Sequence, residues 1–158
     1  MTPSERLTGP LDDVIVHGDA QPMLDYEGEL TFILSKDAKD VKEEDALDYV
    51  LGYTVGNDVS ARSLIPIEIS GNQMGYSKSF DTVNGETRQD TSTRAMTFSV
   101  KQLIAYASKN RTLKKGTVFM TGTPDGVGWF SDGLLKDGDV VEVEVSEVGS
   151  ISNKMTFK

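Results

Sequence analysis

The sequence predicts a fold that is richer in strands than in helices and that is not a doubly wound parallel sheet. Strand-like segments, which alternate apolar and polar residues or form short β-branched runs, outnumber helix-like segments by more than two to one. Strands and helices do not follow one another in turn, so a doubly wound parallel sheet is not expected. The chain has 158 residues, a length typical of one domain, and we expect residues 1–158 to form a single domain.

Two strands are predicted in the first quarter of the chain. Asp12–Val16 is short and rich in β-branched residues. Tyr26–Leu34 alternates well along its length, which places Glu27 and Glu29 on the same face of a strand. Their backbone positions would then lie roughly 6.6 Å apart.

Two helices are predicted from capping-box spacing. Asp40 and Glu43 form the first box, and apolar residues recur at helical spacing until Gly52, namely Leu47, Val50 and Leu51. Ser99 and Gln102 form the second box, which precedes another apolar stripe. Both stripes are expected to face the core.

The second half of the chain is predicted to be mostly strand. Thr117–Thr121 is a compact apolar run, and residues 141–146 alternate between valine and polar residues. Ile151–Phe157 is expected to pair back on that strand as a hairpin. Asn84 and Gly85 form the dipeptide typical of a type I′ hairpin turn.

Composition excludes several classes of function. The net charge of −9 disfavours nucleic acid and anionic membranes as partners, because both would be repelled. The absence of cysteine excludes disulfides, thiolate zinc sites and cysteine nucleophiles, and the single histidine, His17, excludes two-histidine metal motifs. With no signal-like apolar segment, we expect a cytoplasmic protein, with mitochondria as the other possible compartment.

Acidic residues supply the first candidate site. Two carboxylates as close as those of Glu27 and Glu29 repel one another, and a divalent cation between them would remove that cost. Mg²⁺ prefers oxygen ligands and retains waters that a substrate can displace. Asp58 follows another strand-like segment and could supply a third carboxylate. A solvated strand face is the alternative explanation for the alternating acids.

Cationic and glycine-rich segments supply further candidates. Arg62 could pair with a substrate carboxylate or simply with Asp58. Lys78 could neutralise developing negative charge or be an ordinary solvated lysine. Thr121–Gly128 could form an anion-binding nest or a tight turn that needs glycine. His17 is more typical of a surface residue than of a catalyst.

In this order, the motifs resemble the fumarylacetoacetate hydrolase family. The resemblance runs over most of the chain and is carried by the stretches LDYEGEL, LGYTVGNDVSAR, KSFD, VNGETRQD, KKGTVFMTGTPDGVG and LKDGDVVEVEV. It implies a β-rich α+β domain, in which curled mixed sheets form a sandwich-like roll, and a homodimer. It also implies a Mg²⁺, Mn²⁺ or Ca²⁺ site at Glu27, Glu29 and Asp58, with Lys78 beside the metal as the catalytic lysine and with Arg62 and Thr123 lining the substrate site.

The resemblance implies an enzyme that acts on a small 2-oxo or β-diketo acid. We expect acylpyruvate-type hydrolysis of a C–C bond, with oxaloacetate tautomerisation or decarboxylation as the alternative. Hydrolases of the family commonly use a His/Glu pair from a segment near the N-terminus, and we expect that pair to be missing here. The KSFD and VNGE motifs also nearly touch, whereas the family places another strand between them. A catalytically dead, metal-binding homodimer is therefore a further alternative.

Overall fold

The computed structural model describes residues 7–62, 80–131 and 133–158. Within these ranges the chain is rich in strands and contains a single α-helix, which confirms the predicted β-rich α+β class. Lys78 falls outside the described residues.

Strands and helices follow one another irregularly along the described residues. The strands are β1 (Val14–Val16), β2 (Leu24–Asp25), β3 (Gly28–Leu34), β4 (Ala38–Lys39), β5 (Val50–Asn57), β6 (Ser60–Ala61), β7 (Phe80–Val83), β8 (Glu86–Asp90), β9 (Thr112–Leu113), β10 (Val118–Met120), β11 (Val140–Val145) and β12 (Gly149–Phe157). The α-helix, α1, is Val100–Ala107, and 3-10 helices cover Gly18–Met23, Glu43–Tyr49, Thr93–Ala95 and Gly128–Phe130.

The strands form two main sheets and two short ribbons. The five-stranded sheet has the order β1-β12-β11-β7-β8, and the three-stranded sheet has the order β10-β3-β5. The ribbons pair β2 with β6 and β4 with β9. Only the β1–β12 pair among these is parallel, in agreement with the rejection of a doubly wound sheet.

Both predicted hairpins are confirmed. β11 pairs antiparallel with β12, and its three inward valines are buried while Glu142 and Glu144 are exposed. β7 pairs antiparallel with β8 across Asn84 and Gly85, whose φ angles of 53° and 82° are the two positive values that a type I′ turn requires.

The helix predictions had different outcomes. The Ser99–Gln102 capping box is present and α1 follows it directly. The first predicted helix is wrong: residues Glu43–Tyr49 form a 3-10 helix, and the chain then enters β5. Asp40 does not cap this helix, because its carboxylate instead accepts a hydrogen bond from the backbone N–H of Asn110 at 2.7 Å. Only Ala46 of the segment is buried, so little packing stabilises a longer helix.

Two hydrophobic clusters meet along β3. The larger cluster packs Tyr26 and Leu30 against the buried valines of β11. The smaller cluster packs Phe32 and Leu34 against α1 and the Glu43–Tyr49 helix. Side chains on one face of β3 therefore pack into both clusters. This packing fixes the position of the strand, which carries part of the candidate site.

Candidate metal centre

Two adjacent strand breaks place Glu27 beside Asp58. β2 and β3 are separated by residues 26–27, and their partners β6 and β5 are separated by residues 58–59. Gly28 pairs with Asn57 at the end of the β3–β5 ladder, and the N–H of Asp58 donates to the carbonyl oxygen of Glu27 at 2.8 Å. The two acids are thus held next to each other by the backbone.

Glu29 follows Glu27 by two residues, lies on β3 and is only 2% exposed. Its Oε2 accepts a hydrogen bond from the N–H of Gly122 at 2.8 Å. The residue paired with it on β5 is Gly56, which has no side chain.

The structure brings together all three acids that the sequence predicts as metal ligands. One carboxylate oxygen from each of Glu27, Glu29 and Asp58 lies within 4.8 Å of the other two. Glu29 is buried, Glu27 is partly buried and Asp58 is exposed, so the group reaches from the protein interior to the surface. A cation could therefore enter from solvent and bind oxygen ligands alone.

Two of these acids, Glu27 and Asp58, are costly to ionise. Burial raises the pKa of Glu27, an effect that Arg62 opposes and that the neighbouring charges of Asp58 and Asp25 reinforce. Partial desolvation of its carboxylate by the surrounding protein atoms also raises the pKa of Asp58, although the residue as a whole is exposed, and the attraction of Arg62 again opposes the effect. Clustered carboxylates that resist ionisation form a donor set suited to Mg²⁺, Mn²⁺ or Ca²⁺, because a hard divalent cation offsets both burial and repulsion. The residues present therefore fit the predicted metal.

Arg62 follows β6 and lies against two acids. Its Nε donates to Oδ2 of Asp25 at 3.0 Å, and its Nη2 contacts the same oxygen at 3.0 Å. Nη2 also donates to Oε1 of Glu27. The alternative in which Arg62 pairs chiefly with Asp58 is not what the structure shows, since its ion pairs are with Asp25 and Glu27.

Asp25 is a site residue to which the sequence analysis gave no role. It is 0% exposed and holds Arg62 in place. Its Oδ1 accepts from the N–H groups of Tyr26 and Gly128 at 2.9 and 2.7 Å, and its Oδ2 accepts from that of Trp129 at 3.1 Å. The aspartate belongs to the LDYEGEL motif, but Gly128 and Trp129 lie 103 and 104 residues away in sequence, and no local pattern predicts these two contacts.

The segment Thr121–Gly128 runs alongside β3 and continues the ladder of β10. Gly122, whose φ is 91°, turns its N–H towards Glu29. Gly126 also has a positive φ, 103°, and its carbonyl accepts from the hydroxyl of Tyr26. The structure shows the turn that needs glycine, and the amides of Gly122 and Gly128 bind carboxylates that belong to the protein itself. The anion-binding nest stays a prediction.

The remaining predicted residues lie in different surroundings. Thr123 is 6% exposed, and its hydroxyl donates to the carbonyl oxygen of Gly28, between Glu27 and Glu29. The side chain of His17 is 83% exposed and accepts from the N–H of Asp19 at the start of a 3-10 helix. His17 is thus a surface residue. Lys78 stays a prediction, because it lies outside the described ranges.

Comparison with known proteins decides the family. A family model described as "Fumarylacetoacetate (FAA) hydrolase C-terminal" matches residues 1–83 and 82–156. The chain belongs to the fumarylacetoacetate hydrolase family. The two matched segments of this family meet at the junction between the KSFD and VNGE motifs, where the sequence analysis places a missing strand.

Relatives within the fumarylacetoacetate hydrolase family carry several activities in their names. "Oxaloacetate tautomerase fahd2, mitochondrial" of Xenopus laevis is 41% identical over 177 residues, covering 95% of this chain and 55% of the relative. "Oxaloacetate tautomerase YisK" of Bacillus subtilis is 35% identical and covers 94% of this chain and 58% of the relative. The solved fumarylacetoacetate hydrolase of Exiguobacterium antarcticum superposes with a TM-score of 0.83 at 32% identity, over 94% of this chain and 62% of that one.

The chain spans only part of the length of those relatives. The chain spans 55% and 58% of the length of the two tautomerases that it matches. Its alignment with the Xenopus protein extends over 177 positions although the chain has 158 residues, so the relative has residues within the matched region that are missing here. No helix in the part of the chain that the structure describes is long and apolar enough to cross a membrane.

Proposed function

We propose that this chain acts as a divalent-metal-dependent enzyme on a small 2-oxo acid, and that its reaction is the tautomerisation of oxaloacetate. The observation that carries the proposal is the convergence of Glu27, Glu29 and Asp58, with carboxylate oxygens within 4.8 Å of one another. Two relatives named as oxaloacetate tautomerases, at 41% and 35% identity, support this choice of reaction.

Glu27, Glu29 and Asp58 would hold the ion. When bound, a divalent ion supplies Lewis acidity that polarises the carbonyl oxygens of a 2-oxo acid. Arg62 would bind a substrate carboxylate through Nη1, since its Nε and Nη2 already contact Asp25 and Glu27. A rigidly held guanidinium orients the substrate at little entropic cost, because two acids fix its position before the substrate arrives.

The lysine and the threonine keep proposed roles. Lys78, outside the described residues, would stabilise negative charge that develops when a proton leaves the carbon next to the carbonyl. Thr123 was predicted to line the substrate site, and its hydroxyl is bonded to Gly28 instead of facing solvent. Its contribution to substrate binding would therefore come through the position of the acids.

Tautomerisation requires fewer catalytic groups at this site than hydrolysis does. The reaction moves one proton between carbon and oxygen, whereas hydrolysis also needs a base that activates water. The one histidine of the sequence, His17, has a side chain that is 83% exposed and pairs with Asp19. Acylpyruvate-type hydrolysis is the second candidate, supported by the structural match to a fumarylacetoacetate hydrolase at 32% identity.

Ultraviolet absorbance of enol oxaloacetate provides the test. With Mg²⁺ or Mn²⁺, the full chain should accelerate conversion between enol and keto forms, and EDTA should abolish the acceleration. Glu29→Gln should be inactive because it removes a buried ligand charge, whereas Glu142→Gln, which removes an exposed charge on β11, should retain activity.

Three outcomes distinguish the alternatives. If the chain hydrolyses acetylpyruvate faster than it tautomerises oxaloacetate, hydrolysis replaces tautomerisation as the proposed reaction. Metal binding without turnover of either substrate would indicate the catalytically dead relative. Metal-independent turnover that survives Glu29→Gln would contradict the proposed metal centre.

A further inference from the structure

Gly28 lies between the two glutamates of the candidate metal centre, and both of its backbone polar groups are held by buried side chains. Its N–H donates to Oε1 of Gln89 at 3.2 Å. Its carbonyl oxygen accepts from the hydroxyl of Thr123 at 3.2 Å. The peptide groups that join Glu27 to Glu29 are therefore fixed from both sides.

Gln89 connects three separate parts of the fold. It projects from β8 of the five-stranded sheet and is 0% exposed. Its Nε2 donates to Oγ1 of Thr123 at 3.0 Å and to the carbonyl oxygen of Pro124 at 2.9 Å. One amide thus links the five-stranded sheet, β3 and the Thr121–Gly128 segment.

These contacts bear directly on the acids. The segment that Gln89 holds also presents the N–H of Gly122 to Oε2 of Glu29 at 2.8 Å. If Gln89 or the hydroxyl of Thr123 is lost, Gly28 keeps one buried polar group without a partner, and the backbone must move to satisfy it. Any such movement changes the separation of Glu27 and Glu29, since Gly28 is the single residue between them.

We propose that Gln89 and Thr123 act through Gly28 as positioning residues that set the spacing of Glu27 and Glu29 for a divalent cation. This inference depends on the proposed metal centre. Residues that orient metal ligands typically account for about 10- to 100-fold in metal affinity.

Calorimetric titration of Mn²⁺ into the full chain tests the inference. Gln89→Met and Thr123→Val should each raise the Kd for Mn²⁺ by about tenfold or more. Thr123→Ser keeps the hydroxyl and should retain most of the affinity. Because the two residues serve one unit, the Gln89→Met/Thr123→Val double variant should bind little more weakly than the worse single variant.

Ser108→Ala is the matched control for loss of a buried hydrogen bond. Ser108 is 0% exposed, and its Oγ accepts from the N–H of Val41 at 3.0 Å, beside the end of α1. This variant should have a lower melting temperature with an unchanged Kd for Mn²⁺, which separates positioning from general stability.

The possible results discriminate between the inference and the function on which it depends. If the wild-type chain does not bind Mn²⁺, the proposed metal centre itself fails. If the wild type binds and Thr123→Val has the wild-type Kd, or if Ser108→Ala weakens binding equally, the positioning role is overturned. Should Gln89→Met fail to fold, the comparison of Thr123→Val with Thr123→Ser still decides.

Discussion

At the scale of single residues, Asp25 organises the cationic side of the site. It is fully buried, and it accepts from Arg62 and from the backbone N–H groups of Tyr26, Gly128 and Trp129. A buried carboxylate with this many donors is costly to replace, because each donor would lose its partner.

Asp25→Asn should therefore destabilise the protein strongly. The asparagine fits the space, but its NH₂ group would face donors and Arg62 would lose a buried counter-charge. We expect a loss of about 3 kcal/mol in the free energy of unfolding, measured by urea denaturation. Asp37→Asn is the control: Asp37 pairs with Lys114 at the surface, and the urea midpoint should hardly move. Equal effects of the two substitutions would contradict the account.

Stability should depend on pH through Glu27. Burial raises its pKa above the ordinary value, so the folded chain binds the proton more tightly than the unfolded chain. In metal-free protein the resulting stabilisation is complete below about pH 4 and is lost as the pH rises through the raised pKa. Relative to wild type, Glu27→Gln should become more stable as the pH increases.

Urea unfolding in EDTA between about pH 4 and pH 7 measures this difference. Added Mg²⁺ should reverse the trend, since a cation favours the ionised acid and binds only the folded site. Glu142→Gln, which removes an exposed charge on β11, is the control for loss of a carboxylate outside the site. A wild type that gains stability over Glu27→Gln with rising pH in EDTA would show that pairing with Arg62 outweighs burial.

At the scale of elements, the sequence predicts strands well where one face is buried and the other is exposed to solvent. The β11–β12 hairpin follows directly from alternating valines and acids. The helix predicted from Asp40 failed because β5 begins with Val50 and Leu51, and Val50 pairs with Leu34 of β3. Local spacing shows that these residues are apolar, but it cannot show which distant strand they will join.

The residues of the candidate site also differ in whether the local sequence predicts them. Alternation along β3 predicts that Glu27 and Glu29 share a face, whereas Asp58 joins them through the register of β3 with β5. Asp25 and Gln89 depend on partners separated by 103 and 61 residues. Long-range hydrogen bonds of this kind have no periodic signal, so the sequence alone could not identify either residue.

Gly56 on β5 should not tolerate a side chain. A Cβ at this position would lie 2.5 Å from Oγ1 of Thr31 and 2.8 Å from Cε of Met120. Met120 can move, but Thr31 is buried and β-branched, so Gly56→Ala should cost about 1–3 kcal/mol of unfolding free energy. Gly52→Ala on the same strand has nothing within 4 Å and should be neutral or slightly stabilising by thermal melting. Similar melting temperatures for the two variants would refute the packing argument.

At the scale of the whole molecule, β3 couples the two hydrophobic clusters. Leu30 belongs to the larger cluster and Phe32 to the smaller one, and the ring of Phe32 stacks on that of Phe119 with centroids 4.7 Å apart. A shared central strand should make the two clusters unfold together, in line with the expectation of one domain.

Cooperative unfolding can be tested with two probes. Trp129, the single tryptophan, lies beside Asp25 and reports the site by fluorescence, while far-ultraviolet circular dichroism reports the sheets. The two urea transitions should coincide. Separate midpoints would show that the site region and the remaining sheets are independent units. The homodimer implied by the family resemblance stays a prediction, which sedimentation equilibrium would test.

The central claim is that Glu27, Glu29 and Asp58 together hold a divalent cation, and anomalous diffraction from crystals grown with Mn²⁺ tests it most directly. The account predicts one strong anomalous peak in contact with all three carboxylates, which Glu29→Gln removes. A peak elsewhere, or three carboxylates without a peak at millimolar Mn²⁺, would contradict it.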